Sequence, residues 1–254
     1  MAAPIQLRSV PLMRKWGVAE LLAFQAQDER TYRRLVELEA LVDEELWFPS
    51  WPKALKTGIV LGDLQRNDWP AVVGVDLSGA KRKGNAIVVG KINPATKRRY
   101  VVDVDRGAWR SHETAERLKR VESLYHPLVY KVENNGYQNA LIEWVQALPG
   151  QFDFWMKVES TTTGQNKVDP ELGLRSLQIE FHADAWVVPH DEFAHHPPGH
   201  DCPWCTLNRE FAAYPQAGPA DVVMATWFMK QGVDEYIDFL APQSMGGLQQ
   251  LRVR

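Results

Sequence analysis

Three acidic residues stand at positions where the sequence pattern marks the end or beginning of an ordered segment. Asp76 closes the apolar run Ala71–Asp76 (AVVGVD), Glu133 closes Leu128–Val132 (LVYKV), and Asp221 follows Pro219 and precedes the apolar stretch 222–228. Acids drawn from separate segments to one point suit hard divalent ions such as Mg²⁺ or Mn²⁺, which prefer carboxylate oxygen. Two such ions roughly 4 Å apart can activate a water and stabilise the leaving oxygen in phosphodiester hydrolysis. Each acid alone also fits a plainer role as a loop residue or helix cap. Glu159, Glu180 and Asp184 are further ligand candidates, whereas Asp103 and Asp105 end a strand expected to run the other way and are read as solvated.

A second set offers softer chemistry. His195, His196, His200, Cys202 and Cys205 fall within eleven residues of a Pro-rich segment. A Cys-x-x-Cys with a nearby His pair can close a tetrahedral zinc site and order a loop that lacks packing. His196 or His195, with His200, Cys202 and Cys205, is the expected set, and structural zinc is favoured over free thiols. The Cys pair follows no βαβ unit, which argues against thioredoxin-like redox chemistry. Basic side chains cluster at Lys81, Arg82 and Lys83, beside Asp76, and at Lys97, Arg98 and Arg99, with Lys167 in a later polar loop. Such loops suit phosphate contacts that position a nucleic acid without reading its sequence.

The elements that must carry these residues follow from periodicity. Residues 71–76, 85–89 and 99–104 read as three strands of an antiparallel meander, with Asn93–Thr96 as a turn. Ser111–Tyr125 reads as a helix with Ser111 as N-cap and Ala115, Leu118, Val121 and Leu124 on one face. Residues 128–132 give a fourth strand, 137–148 a helix, and 152–158 a fifth strand. Residues 170–180 read as helical, 185–188 as a short strand, 191–205 as an irregular loop, and 219–230 as a helix begun by Pro219. The order β-β-β-α-β-α-β is that of an α/β, RNase H-like fold: a mixed five-stranded or larger sheet flanked by helices. Its first and fourth strands lie side by side, so Asp76 and Glu133 share one edge, with Asp221 projecting over it. That edge is where α/β sheets place ligands. Upstream, residues 14–45 carry apolar positions at helical spacing and 48–69 form an irregular connector. The expected organisation is a helical linker over 1–68, the α/β domain over 69–235 and a tail over 236–254, with the chain from Ala241 flexible or partner-binding.

Composition bounds the alternatives. The 254 residues, 45% hydrophobic, can fill a globular core, and a net charge of -3 gives no global pull toward nucleic acid. No apolar run approaches the ~20 residues that span a bilayer, and no secretory signal opens the chain. Two cysteines in a Cys-x-x-Cys fit a reducing compartment.

In order and spacing, VVGVDLSGAKRKGNAIVV (72–89), YKVENNGYQNAL (130–141), TTTGQNK (161–167) and DVVMATWF (221–228) resemble the nuclease domain of phage terminase large subunits. The resemblance covers about residues 70–230, and the segment 16–53 looks like the link joining the terminase ATPase to its nuclease. It implies an endonuclease that cuts concatemeric viral DNA with Mg²⁺ or Mn²⁺ during packaging. Asp76, Glu133 and Asp221 would be its catalytic metal ligands, and Lys81, Arg82, Lys83 and Lys167 would contact DNA. The implied partners are double-stranded DNA, the terminase ATPase part, the small terminase subunit and the portal of the procapsid, in the cytoplasm of the infected host cell. Many members pair two acids at the last motif, whereas Val222 follows Asp221 here, which leaves one tightly held ion and a substrate-recruited second as the expected arrangement. No G-x-x-x-x-G-K-[ST] is present, so no ATPase is expected in this chain. An RNase H-like resolvase or transposase would use the same acids. A non-catalytic DNA-binding or motor-docking module would keep only structural zinc.

Overall fold

The computed structural model describes residues 46–77, 84–133, 158–161, 173–197, 199–216 and 220–246, with backbone alone at 133, 160–161 and 238–246. Residues from Trp47 onward belong to one compact unit. Its strands are β1 (Leu55–Lys56), β2 (Ala71–Leu77), β3 (Asn85–Ile92), β4 (Arg99–Gly107), β5 (Val129–Glu133), β6 (Val158–Thr161) and β7 (Trp186–Pro189). They form a seven-stranded mixed sheet in the order β1-β7-β4-β3-β2-β5-β6. β2, β3 and β4 are the antiparallel meander, and β5 lies parallel to β2, as expected of the RNase H-like arrangement. β7 and β1 extend it beyond β4 in parallel pairing.

Alternation along β2 divides the interior into two cores. Val73, Val75 and Leu77 face the helix α3 (Ser111–Tyr125) together with Ala115, Leu118 and Val121. Val72 faces the other side, where the long helix α7 (Asp221–Gly246) packs with Val222, Ala225, Trp227, Phe228 and Met229. This α7 face explains why β2 is buried throughout. It also explains Gly74, where a Cβ would overlap the Ala225 carbonyl oxygen and the Met229 amide nitrogen. The helix backbone lies directly on the strand, a close approach that only glycine permits.

Ion pairs fasten α7 farther along. Lys230 meets Glu180 at 3.3 Å, Arg99 meets Asp234 at 2.6 Å and Glu180 at 3.2 Å, and within α7 Lys230 also meets Asp234 at 2.5 Å. Lys131 of β5 pairs with Glu159 and, at 2.6 Å, with Glu235.

Several expectations are corrected by packing. Residues 48–69, read as an irregular connector, contribute α1 (Trp51–Ala54), β1 and α2 (Leu61–Arg66). Phe48, Trp51 and Ala54 are buried in the α7-side core. Trp51 stacks on Phe211 with ring centroids 4.4 Å apart, and its Nε1 donates to Asn208 Oδ1 at 2.9 Å. α3 begins as expected, but its N-cap is Arg110, whose backbone N–H donates to Glu113 at 2.7 Å, so the usual Glu is present at the third position. The helix expected over 170–180 is α4 (Ser176–His182). The loop expected over 191–205 contains α5 (Asp191–Ala194) and leads at Pro203 into α6 (Pro203–Ala212), whose Leu207 and Phe211 enter the core. α7 runs to Gly246, into the segment expected as a tail over 236–254, whose residues 247–254 lie outside the described ones. The expected helices over 14–45 and 137–148 lie outside the described residues, as do 152–157 of the fifth strand. No described helix is long and apolar enough to cross a membrane.

Replacing Gly74 by alanine should lower the melting temperature by about 5 °C or more, because the new methyl meets backbone with no room to yield. Gly62 is the control: a Cβ there meets only the flexible Arg66 side chain, so Gly62→Ala should leave melting unchanged or raise it slightly. Equal melting of the two variants by circular dichroism would contradict the contact.

Candidate active site

Register brings the predicted acids to one end of the sheet. Asp76 pairs with Ala86 on β3, and Ala86 pairs with Arg106 on β4. On the other side Val75 pairs with Val132, so Glu133 follows next, beside Asp76, and itself pairs with Thr161. A row therefore crosses the sheet as Arg106, Ala86, Asp76, Glu133 and Thr161. Strand alternation puts Asp76 on the α7 face, with Val72 and Gly74, and it is 8% exposed. For Glu133 the described placement is that of its backbone.

Asp221 reaches this end because α7 runs back along β2. Ala225 and Met229 lie over Gly74, Gly232 over Val72 and Val129, and the N-terminal turn therefore lies over the carboxyl end of β2. The Asp221 carboxylate occupies the space a Cβ would fill at Gly84, just before β3. An acid here also opposes the positive end of the helix. Asp221 lies 3.5 Å from the Arg106 guanidinium, which is 21% exposed.

Two groups at this end were not anticipated. Arg106 could have been found from alternation, since it shares the face of Val104, which packs in the α7-side core. Glu210 is missed because the loop expected over 191–205 runs over the start of α6 and no element is expected over 206–212, although Leu207, Glu210 and Phe211 have helical spacing. Its Oε2 accepts from the Val222 and Val223 backbone N–H groups at 2.8 and 3.2 Å, so it caps α7 from a separate helix. Arg106 Nε lies 3.8 Å from Oε1. Burial is the main reason the Glu210 carboxyl is pushed up to about 7, reinforced by the charge of Asp221 and opposed by the two amide bonds and Arg106.

The other acids are committed elsewhere. Asp103 and Asp105, expected to be solvated, lie on the α3 face and engage Tyr125 at 3.0 Å and Arg117 respectively. Burial raises the Asp103 carboxyl above its ordinary range. Glu180 lies at the opposite end of the sheet with Arg99, Lys230 and the Trp186 indole, and Asp184 pairs there with Arg98 and, at 2.7 Å, Lys56. Glu159 pairs with Lys131. Arg98 and Arg99 are thus occupied by acids far from Asp76, which removes the second basic cluster as a contact surface for this end. Lys81, Arg82, Lys83 and Lys167 lie outside the described residues.

His196, His200, Cys202 and Cys205 come together apart from the carboxylates, with one donor atom from each within 4.8 Å of every other. His195 instead caps the C-terminus of α5. This cluster can hold a metal ion.

No protein-family model matches the chain, and no curated protein does. Among solved structures, the large terminase nuclease from thermophilic phage G20c is similar at 15% identity, over 65% of this chain and 83% of that one, with a TM-score of 0.45. The g2p large terminase nuclease domain of bacteriophage SPP1, with bound Mn, is similar at 16% identity over 70% and 96%, with a TM-score of 0.45. The P22 large terminase nuclease domain is similar at 13% identity over 72% and 89%, also at 0.45.

The Glu210 carboxyl fixes the sign of one pH effect. Its folded-state value of about 7 exceeds the ordinary 4.5, so the native protein holds a proton that the unfolded chain releases. The resulting stability is full below 4.5 and is lost as pH rises through about 7. Glu210→Gln keeps an acceptor for the α7 amides without the charge. In metal-free protein, the melting temperature of this variant should therefore gain on the wild type between those two pH values. A constant difference across the window would show that Glu210 titrates normally.

Proposed function

We propose that the chain is a divalent-metal-dependent endonuclease that cuts double-stranded DNA, of the kind that processes concatemeric viral DNA during packaging. The observation that carries this reading is the placing of Asp76 and the Asp221 carboxylate at the same end and on the same face of the sheet, with Glu133 next to Asp76 in register. The donor set fits Mg²⁺ or Mn²⁺: all three groups are carboxylates, and Asp76 sits in a nearly closed setting that offers hard oxygen. When bound, such ions supply an activated water and stabilise charge on the leaving oxygen.

The chain's own residues bind and orient. Asp76 comes from a rigid central strand, and Glu133 from its parallel neighbour. Asp221 lies against Arg106 and fills the space left by the missing side chain of Gly84, while Glu210 fixes the helical turn that carries it. Arg106 supplies positive charge at the rim and offsets the repulsion among clustered acids. Lys81, Arg82 and Lys83 lie in the connection between β2 and β3, immediately after Asp76, and would hold a phosphate backbone near it; Lys167 serves as a further contact. Val222 in place of a second acid fits one firmly held ion and a second recruited with substrate. A packaging role would place the chain with an ATPase part, a small terminase subunit and the portal of a procapsid, within the host cytoplasm.

With Mn²⁺, Asp76→Asn should reduce nicking of supercoiled plasmid roughly 100-fold or more while leaving duplex binding intact. Cleavage by this variant at the wild-type rate would overturn the assignment. Replacing Lys81, Arg82 and Lys83 together by alanine should weaken duplex binding and flatten the log K against log salt slope by up to about 2.7, as expected for three lost phosphate contacts. An unchanged slope would remove this loop from the DNA contact.

A further inference from the structure

The His/Cys cluster has a geometry and a location that the carboxylate site does not account for. Cys205 Sγ lies 3.2 Å from His196 Nδ1 and 3.6 Å from His200 Nδ1, and Cys202 Sγ lies 3.5 Å from His196 Nδ1. Tetrahedral zinc bonds of about 2.0–2.3 Å require donor-to-donor edges of about 3.3–3.8 Å; two of these three pairs fall in that range and the third is 3.2 Å. The two imidazoles are packed with centroids 4.1 Å apart, and the Cys205 backbone N–H donates to Cys202 Sγ at 3.3 Å. Two sulfurs and two nitrogens form a soft, tetrahedral donor set that selects zinc over the hard ions suited to carboxylates.

The loop has few other means of holding itself. His196 and His200 are exposed, Gly199 adopts a left-handed backbone, and the segment's apolar anchor is Phe193. Yet the cluster ends on an ordered element: Cys202 is the N-cap of α6 and Cys205 lies in its first turn. Glu210 follows five residues later on the same helix, about 7.5 Å along its axis. From there its carboxylate holds the first amides of α7, beside Asp221.

We propose that His196, His200, Cys202 and Cys205 bind one structural zinc ion that fixes the start of α6 and, through Glu210, the N-terminal turn of α7 that presents Asp221. The zinc site stands independently of the nuclease reading; only the consequence for catalysis rests on it. Zinc clamps the end of α6 opposite Glu210, so its loss loosens the helix that supplies the cap. The amides of Val222 and Val223 then open to solvent more often.

The test uses the full chain. Protein prepared with zinc should contain one equivalent by elemental analysis, and cobalt(II) in its place should give thiolate-to-metal absorption that Cys202→Ser abolishes. Stripping zinc from the wild type should lower melting by about 5 °C or more, with recovery when zinc alone is returned. Hydrogen exchange at Val222 and Val223 should become at least roughly tenfold faster on stripping. Glu210→Ala should speed the same amides while retaining zinc. Failure to take up zinc or to show the cobalt band would overturn the site, and bound zinc with unchanged Val222 and Val223 exchange would overturn the link to α7. Because no arm depends on cleavage, an inactive Asp76 site would leave these outcomes readable.

Discussion

The contact on which the rest depends is backbone against backbone: α7 lies on β2 at Gly74 without any intervening side chain. An ordinary helix–sheet layer keeps the two apart by the thickness of packed residues. Closing that gap lets the N-terminal turn of α7 come down onto the sheet end, so that Asp221 reaches Gly84 with a short side chain. It also explains the composition of the helix. The stretch Val222–Lys230 is buried because the sheet lies beneath it and α6 packs beside it. The site is thus a product of packing distance as much as of sequence motif.

How much of this could be read beforehand follows from range. Asp76 and Glu133 were legible because short apolar runs ending in acid are local signals, and the order of elements set their neighbourhood. The meander and α3 were legible for the same reason. α6 was not, since Pro, His and Cys at its start suggest loop and its helical spacing becomes persuasive only when Leu207 and Phe211 have a core to face. The role of Trp51 was hidden similarly, because a tryptophan between prolines looks like a connector until Phe211 and Asn208 arrive from a distant part of the chain. Arg98 and Arg99 looked like a basic patch because sequence shows the cations and not Asp184, Glu180 and Asp234, which come from elsewhere to meet them.

The two proposed coordination sets differ in the elements that carry them and in their donor atoms. Carboxylate oxygens gather at the end of the central strands, where neighbouring backbone is rigid. The imidazoles come from a loop with little core of its own, and the sulfurs from the start of α6. Thiolate and imidazole favour zinc over Mg²⁺ or Mn²⁺, so the second set does not draw the hard ions from the carboxylates.

The length of α7 has a mechanical consequence. At about 1.5 Å per residue its 26 residues span about 39 Å, well beyond the seven-residue strand it lies on. Its tightest contact, at Ala225 and Met229, sits near the Asp221 end, and the opposite end extends about three times as far from that point. As far as Pro242, which lacks the amide for an internal helix bond, a helix seated in this way is a lever with an off-centre fulcrum. A tilt applied to the part of the helix before Pro242 arrives at Asp221 reversed in direction and reduced, unless the ion pairs tying Lys230 to Glu180, Asp234 to Arg99 and Glu235 to Lys131 resist it. Those pairs therefore serve as the brace that decides whether a load on the far end moves the acid or leaves it in place.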